Sequence, residues 1–486
     1  MKKRNIQYHI VWGVCCALIL LSGCDSFLDV QPKGTVEQKK QFEDVQGYRD
    51  AMYGVYASMA KPELYGKSLS YGFTDQIGQL FYANYIGSNP DVFAASKFDY
   101  KSQYLEGTIR NIWEKAYEVI SYVNNVIENV EKEDDSKDED FALVKGEAYA
   151  VRAFLHFDIM RLFSDNILRH PDAGGIPYAT VFGLENKPVY TLKECYDRVL
   201  SDLQKAQETL VNDKIIRDNN ANSVYQVNRR SHCNQYAVWA IKARVFHYKG
   251  DLDSAALYAE KVIGARTELA LTNVVHYEDV KRYSRDNTEL IWGLYTSQLY
   301  DTYYNLFLAS ELGAGDVLWI KKGIKDFYEI GSASADDKDK RFNAFFTEEK
   351  KDGGNYIFTR LLGKEEKAYN FTGVCLIRLP EMYYILAEVN YEKDKVKALG
   401  YLNTVRRTRG IKDIPLSQIS SSKEFQAILV KERCKEFWGE GQVFFSYKRD
   451  HMPFMNATND SEVAPSSAIF NLPWPKNEQE YGTTNQ

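Results

Sequence analysis

Along residues 239–262, large and small side chains recur at helical spacing on either side of a glycine. Trp239, Lys242, Ala243 and Phe246 step by three and four; Gly250-Asp251 interrupts; Ala255, Ala259 and Val262 step by four and three again. Such steps put side chains on one face of an α-helix. The large residues fill the gap between two paired helices, the small ones allow close approach, and Gly250 ends the first helix. A looser copy runs through Tyr383, Leu386, Ala387 and Asn390, then Ala398, Leu402 and Val405. One helix pair cannot bury its own apolar face, so such units must stack.

The pattern follows a tetratricopeptide helix–turn–helix, with Ala259 where that repeat usually carries a large aromatic. Earlier segments supply more helices. Trp113, Tyr117, Ile120, Ile127 and Val130 share one face. Val144, Ala148, Val151, Leu155, Ile159 and Leu162 form the stripe of a second helix over about 141–163. Thr191 caps a third, through about Leu210. The acidic run Glu131–Asp140 lacks a glycine turn and EF-hand spacing, and reads as a solvated loop rather than a calcium site. Arg152 and His156, four apart on one face, read as a polar pair tying two helices together. Gly174-Gly175-Ile176-Pro177-Tyr178 reads as a turn. The expected fold is mainly α: a tetratricopeptide-like helical-repeat scaffold of about four helix pairs, with loop-rich, partly β insertions forming the ligand face.

Those insertions are Tyr65–Tyr100 and, roughly, Asn273–Val374. In the second, Glu289–Tyr295 reads as a short strand with Trp292 in the core. Tyr300–Tyr304 and Gly313–Trp319 read as loops, and Asp336–Lys340 as a solvated turn. Of the 35 tyrosines and 25 phenylalanines, much must be core. Tyrosines in stretches without helical period are the candidates for a ligand, because connecting segments on a rigid scaffold carry function disproportionately.

The N-terminus reads as an export signal. Lys2, Lys3 and Arg4 precede an apolar run, Ile10–Leu21, too short to span a bilayer, and small residues lead to a cysteine in Leu21-Ser22-Gly23-Cys24. This is the pattern of a bacterial lipoprotein signal, 1–23, with Cys24 taking the lipid, 24–40 as tether and 41–486 as one body. The body divides into parts of about 41–270 and 271–486. Without Lys2, Lys3 and Arg4 the mature chain keeps 58 of the 61 basic residues against 67 acidic ones, a net charge of −9. That balance gives no electrostatic reason to seek nucleic acid. Cys195, Cys233, Cys375 and Cys434 are too scattered for a zinc pattern, and no disulfide, metal or cofactor follows from the sequence.

The chain resembles the SusD/RagB family of surface lipoproteins of Bacteroidetes over nearly its whole length. The segments that carry the likeness are Cys24 with Phe27–Pro32, Glu147–Phe157 continuing through Arg161–Asp165 to Gly175–Pro177, and Arg378–Glu388. Leu402–Gly410, Lys431–Gly441 with Arg449, and Leu472–Glu478 complete them. Ser164, Trp438 and Ser446-Tyr447 depart from the commoner residues. The resemblance implies a nutrient-capture lipoprotein on the outer face of the outer membrane. Such proteins look like lids over a SusC-like TonB-dependent transporter and pass it oligosaccharides, or peptides in some members. In that family the helical repeats face the transporter and the ligand sits among loops on another side. Only lipidation transfers to a matched residue, Cys24.

Capturing a glycan needs flat aromatic faces for sugar rings, with amides and carboxylates for their hydroxyls. Tyr82, Asn84 and Tyr85 in the first insertion, with Tyr300, Tyr303, Tyr304 and Trp319 in the second, fit that need. Each stack contributes roughly 1–2 kcal/mol, so three give about micromolar to millimolar affinity once ordering is counted. A surface glycoside hydrolase would need two carboxylates about 5–9 Å apart across a cleft. No Gly-x-Ser-x-Gly, His-Glu-x-x-His or phosphate loop is present, and the expectation is a binding protein, not an enzyme. An adhesive protein without a small ligand, and peptide cargo, are the remaining readings.

Overall fold

The computed structural model describes residues 40–82, 90–183, 188–213, 223–265, 269–272, 287–296, 299–308, 318–321, 323–331, 339–348, 355–361 and 373–481. Cys24 with the expected signal, Asn84, Tyr85, residues 313–317 and 336–338 lie outside them. The chain divides into two units, Met1–Tyr48 and Arg49–Gln486. In the first, the rings of Phe42 and Tyr48 stand 4.8 Å apart.

The second unit holds the helical stack: α1 (Gln103–Val130), α2 (Glu139–Phe163), α3 (Leu192–Thr209), α4 (Gln235–Lys249), α5 (Leu252–Gly264), α6 (Leu299–Phe307), α7 (Pro380–Tyr391), α8 (Lys395–Thr408) and α9 (Ser422–Glu436). Neighbours pack in order, α1 on α2, α2 on α3, α3 on α4 and α4 on α5. The series then skips α6 and runs from α5 to α7, α7 to α8, with α9 also against α7. This is the repeat scaffold the spacing predicts. Its helices start on polar caps: Asp138, Thr191, Asn234, Asp251, Asp394 and Ser421 each accept a first-turn N–H. Thr191 completes a capping box with Glu194, and each such cap contributes about 1 kcal/mol. Gly250 takes φ +84° to end α4, as expected. Ala259 is fully buried, and the ring of Phe246 stacks on Tyr258 instead, at 5.7 Å.

The strands are short and paired antiparallel: β1 (Phe81–Tyr82), β2 (Gly174–Pro177), β3 (Val189–Thr191), β4 (Leu290–Tyr295), β5 (Trp319–Ile320), β6 (Phe346–Glu348), β7 (Tyr356–Phe358) and β8 (Gly373–Arg378). They form the two-stranded ladders β1–β5, β2–β3, β4–β8 and β6–β7. β4 is the strand expected at 289–295, and Trp292 is fully buried. Because β4 pairs with β8 from Leu290↔Arg378 to Tyr295↔Gly373, the chain leaves the stack and re-enters it at one place.

Several local expectations are corrected. Gly174–Pro177 is a strand rather than a turn, held by β3. Tyr300–Tyr304 lies within α6 rather than a loop, because Leu299, Tyr303 and Phe307 recur every four residues and are buried. Trp319 belongs to a strand. Within Asp336–Lys340, Asp339 is buried, caps the short helix Lys340–Phe345 and pairs with Arg341 at 2.8 Å. The run after Glu131 is mostly exposed, but its last member, Asp140, is buried and accepts from Arg49, Ser223 and Gln226.

Arg152 and His156 do tie elements together, each separately. The Arg152 guanidinium meets both carboxylate oxygens of Asp202 on α3 at 2.7 Å and Asn124 on α1 at 2.9 Å. His156 stacks on Tyr178, and its Nε2 accepts the Ala179 N–H at 3.0 Å while its other nitrogen faces the Arg152 carbonyl. The four body cysteines are free and buried.

Candidate functional site

Of the aromatic residues singled out by sequence, the described ones, Tyr82, Tyr300, Tyr303, Tyr304 and Trp319, lie on the β1–β5 ladder and α6. Tyr82 pairs across the ladder with Trp319, and Phe81 with Ile320. Side chains alternate along a strand, so opposite residues share a face. Phe81 faces inward, with Phe307, Phe358 and Trp438 at 5.0, 5.5 and 6.0 Å. Tyr82 and Trp319 are thereby set on the other face. Trp319 is half-buried; Tyr82 keeps only 5% of its surface. Burial raises the pKa of the Tyr82 hydroxyl, with Asp460 adding to the effect.

Helix α6 is fixed beside this ladder. The Leu318 N–H donates to Leu306 O at 2.7 Å, one residue before Trp319. Tyr71, buried, donates to Gly66 O and shares a hydrogen bond with Thr302 at 2.7 Å. Tyr300 and Tyr304, four residues apart, are half-buried with ring centroids 5.9 Å apart. They offer partly open rings. Tyr303 does not: it is fully buried, its hydroxyl donates to Phe358 O, and its ring packs against Tyr71 and Phe307. That residue holds the helix in place.

Next to Tyr82 lies a cleft of about 220 Å³. Its polar lining is Lys321, Lys325, Asn355 and Tyr356, with Ile320 and Ile324 beside them. Sequence reasoning missed these four polar residues. Had Trp319 and Ile320 been placed in a strand, the adjacent Lys321 would have been drawn to the same ladder. Among the described residues no group of three or more His, Cys, Asp or Glu side chains is arranged to hold a metal ion. No described helix is long and apolar enough to cross a membrane.

The family described as "Starch-binding associating with outer membrane" matches residues 26–246, and the SusD family matches residues 361–483. SusD-like protein P2 of Formosa agariphila is 26% identical over 273 residues, covering 56% of this chain and 48% of its own. SusD-like protein P38 of the same organism is 25% identical over 293 residues, covering 58% and 50%. The chain thus spans about half the length of the curated relatives it matches. Among solved structures, a SusD superfamily protein from Bacteroides thetaiotaomicron superposes with TM-score 0.69 at 22% identity, covering 90% of this chain and 98% of that one. A SusD-like carbohydrate binding protein from Bacteroides vulgatus gives 0.69 at 20% identity, covering 90% and 96%. Those two likenesses concern the fold. With the two family matches taking in most of residues 26–483 and the helical stack shared with these structures, the chain belongs to the SusD/RagB family.

Proposed function

We propose that this protein is a cell-surface lipoprotein, lipidated at Cys24, that captures oligosaccharides and hands them to a SusC-like TonB-dependent transporter in the outer membrane. The observation that carries the reading is the juxtaposition of partly open rings, Tyr300, Tyr304 and Trp319, with a polar cleft beside the same ladder. Rings supply flat apolar faces for pyranose rings, while Asn355 and the lysines supply donors for their oxygens. The carbohydrate-binding descriptions of the matching family and of the Bacteroides vulgatus protein support the same cargo. Asn84 and Tyr85, two and three residues beyond Tyr82, remain part of the proposal.

The test is calorimetric titration of soluble residues 25–486 against a panel of oligosaccharides and short peptides, with products checked by mass. Saturable binding of a glycan without cleavage supports capture. Cleavage would instead assign a hydrolase, and binding of peptides alone would assign peptide cargo.

A further inference from the structure

The cleft beside Tyr82 has a charge that capture of a neutral sugar does not require. The described residues lining it include two lysines and no carboxylate. Lys321 is partly buried, with its ammonium 4.1 Å above the ring of Phe327. Among the described residues no carboxylate lies within ion-pairing distance of it. Burial lowers its pKa, Cys434 and Asp460 act against that shift from farther away, and Lys431 acts with it. Lys431 is itself paired with Glu329 at 2.7 Å. Lys325, exposed, holds its ammonium 5.3 Å from the Tyr356 ring centroid, with the Tyr356 hydroxyl as its main partner and Glu348 acting on it more weakly. Buried arginines elsewhere are ion-paired. Arg341, Arg378 and Arg409, all fully buried, each have a carboxylate within 2.8 Å.

A cation withdrawn from water without a counter-ion is unfavourable, and an incoming anion relieves that cost while gaining a charge-assisted hydrogen bond. Lys321 follows Trp319 by two residues, and its N–H still bonds to Leu80 O across the ladder at 3.3 Å. A sugar ring resting on Trp319 therefore sits two residues along the chain from a lysine of this cleft. The cleft's about 220 Å³ is below the roughly 300–1,000 Å³ of sites for drug-sized ligands. It suits one ring or one substituent of a longer chain.

We infer that the face selects anionic glycans, seating a uronic carboxylate or a sulfate ester of the sugar between Lys321 and Lys325. The inference rests on the reading of this face as a glycan site.

The experiment uses matched probes on residues 25–486: tetragalacturonate against its methyl ester, and a sulfated galactan oligomer against its desulfated form, with neutral maltooligosaccharides and xylooligosaccharides alongside. At least one charged probe is expected to bind fivefold or more tighter than its neutral partner, with the gap shrinking as salt rises. Which pair shows the gap tells carboxylate from sulfate. Lys321→Met should abolish the preference, and Lys325→Met should reduce it, which keeps the test open if the first variant folds poorly. Equal or tighter binding of neutral forms overturns the anionic selection and leaves glycan capture standing. Binding of no saccharide overturns this inference and the capture reading together.

Discussion

Glu289, just before β4, and Arg409, just after α8, face each other through two parallel hydrogen bonds of 2.8 and 2.9 Å, with both side chains wholly out of solvent. The pair joins the root of the insertion to the stack, and it is one link of a larger array. Arg409 and Arg378 both reach Glu436 on α9 at 2.8 Å, and Arg378 bonds Glu440 at 2.7 Å. Arg360, beyond β7, also reaches Glu440. Burial works against the charge of Glu436, yet the Arg409 and Arg378 guanidiniums hold its carboxyl well below the usual range.

Removing one member leaves a charge buried without its partner, which costs about 3–5 kcal/mol. Arg409→Met is therefore expected to lower the free energy of urea unfolding by that amount, while a surface pair such as Lys393–Asp253 tolerates Lys393→Met with a change under about 1 kcal/mol. Similar losses for the two variants would contradict the role given to the array.

Acid should loosen the protein in two stages. His156 and His247 are buried, and burial, aided at His247 by Arg449, lowers their pKa values to about 3 and about 4. Protonating His156 at Nε2 would set its new N–H against the Ala179 N–H. The unfolded chain takes these protons first, so stability begins to fall as pH drops through about 6.5. Glu147 and Glu432 resist protonation despite burial, held at about 2 by Arg229 and by Arg341 respectively. Their contribution is complete above their ordinary pKa of 4.5 and is lost as pH falls toward 2. Urea midpoints at pH 8, 5.5 and 4 should descend at each step; a flat profile between pH 8 and 5.5 would refute the histidine stage.

Tyrosines one residue apart on α6 should behave oppositely. Tyr304→Ala or Trp319→Ala is expected to weaken oligosaccharide binding roughly 5–30-fold, the equivalent of 1–2 kcal/mol per stack, with unfolding little changed. Tyr303→Phe strands the Phe358 carbonyl and should cost about 1–3 kcal/mol of stability with affinity intact. The reverse pattern would exchange their roles.

The thiols should be silent until the protein opens. Burial pushes Cys195 and Cys434 up to about 11 and Cys375 up to about 12, and a protonated buried thiol is a poor nucleophile. With an aromatic disulfide reagent at pH 8, residues 25–486 should show no fast reaction natively and four thiols in guanidinium. Rapid native labelling of any one would show that its pocket is open.

The helical stack was legible because its period is local: Trp239 to Val262 can be read as two packed faces without knowing their neighbours. The segments that carried the family resemblance prove to be mainly framework. Arg378, Arg409, Glu432 and Glu436 lie in them and all serve the buried ion array. The site was legible only as a region. Leu299, Tyr303 and Phe307 do carry a helical period, but the run of tyrosines beside them masked it. Lys321 and Asn355 are 34 residues apart and meet only because the chain folds back through paired strands, a relation no local pattern encodes.

The closure of β4 on β8 has a consequence for how such a protein can vary. Entry and exit of the excursion across residues 296–372 are pinned side by side, and Arg341 and Arg360 within it are anchored to Glu432 and Glu440, so length can vary only between those anchors. For a flexible tether, doubling the length costs only about 0.6 kcal/mol. The excursion is in effect a cassette on a fixed hinge plate: between its anchored residues it can be lengthened or trimmed while α5 and α7 keep their seat on each other.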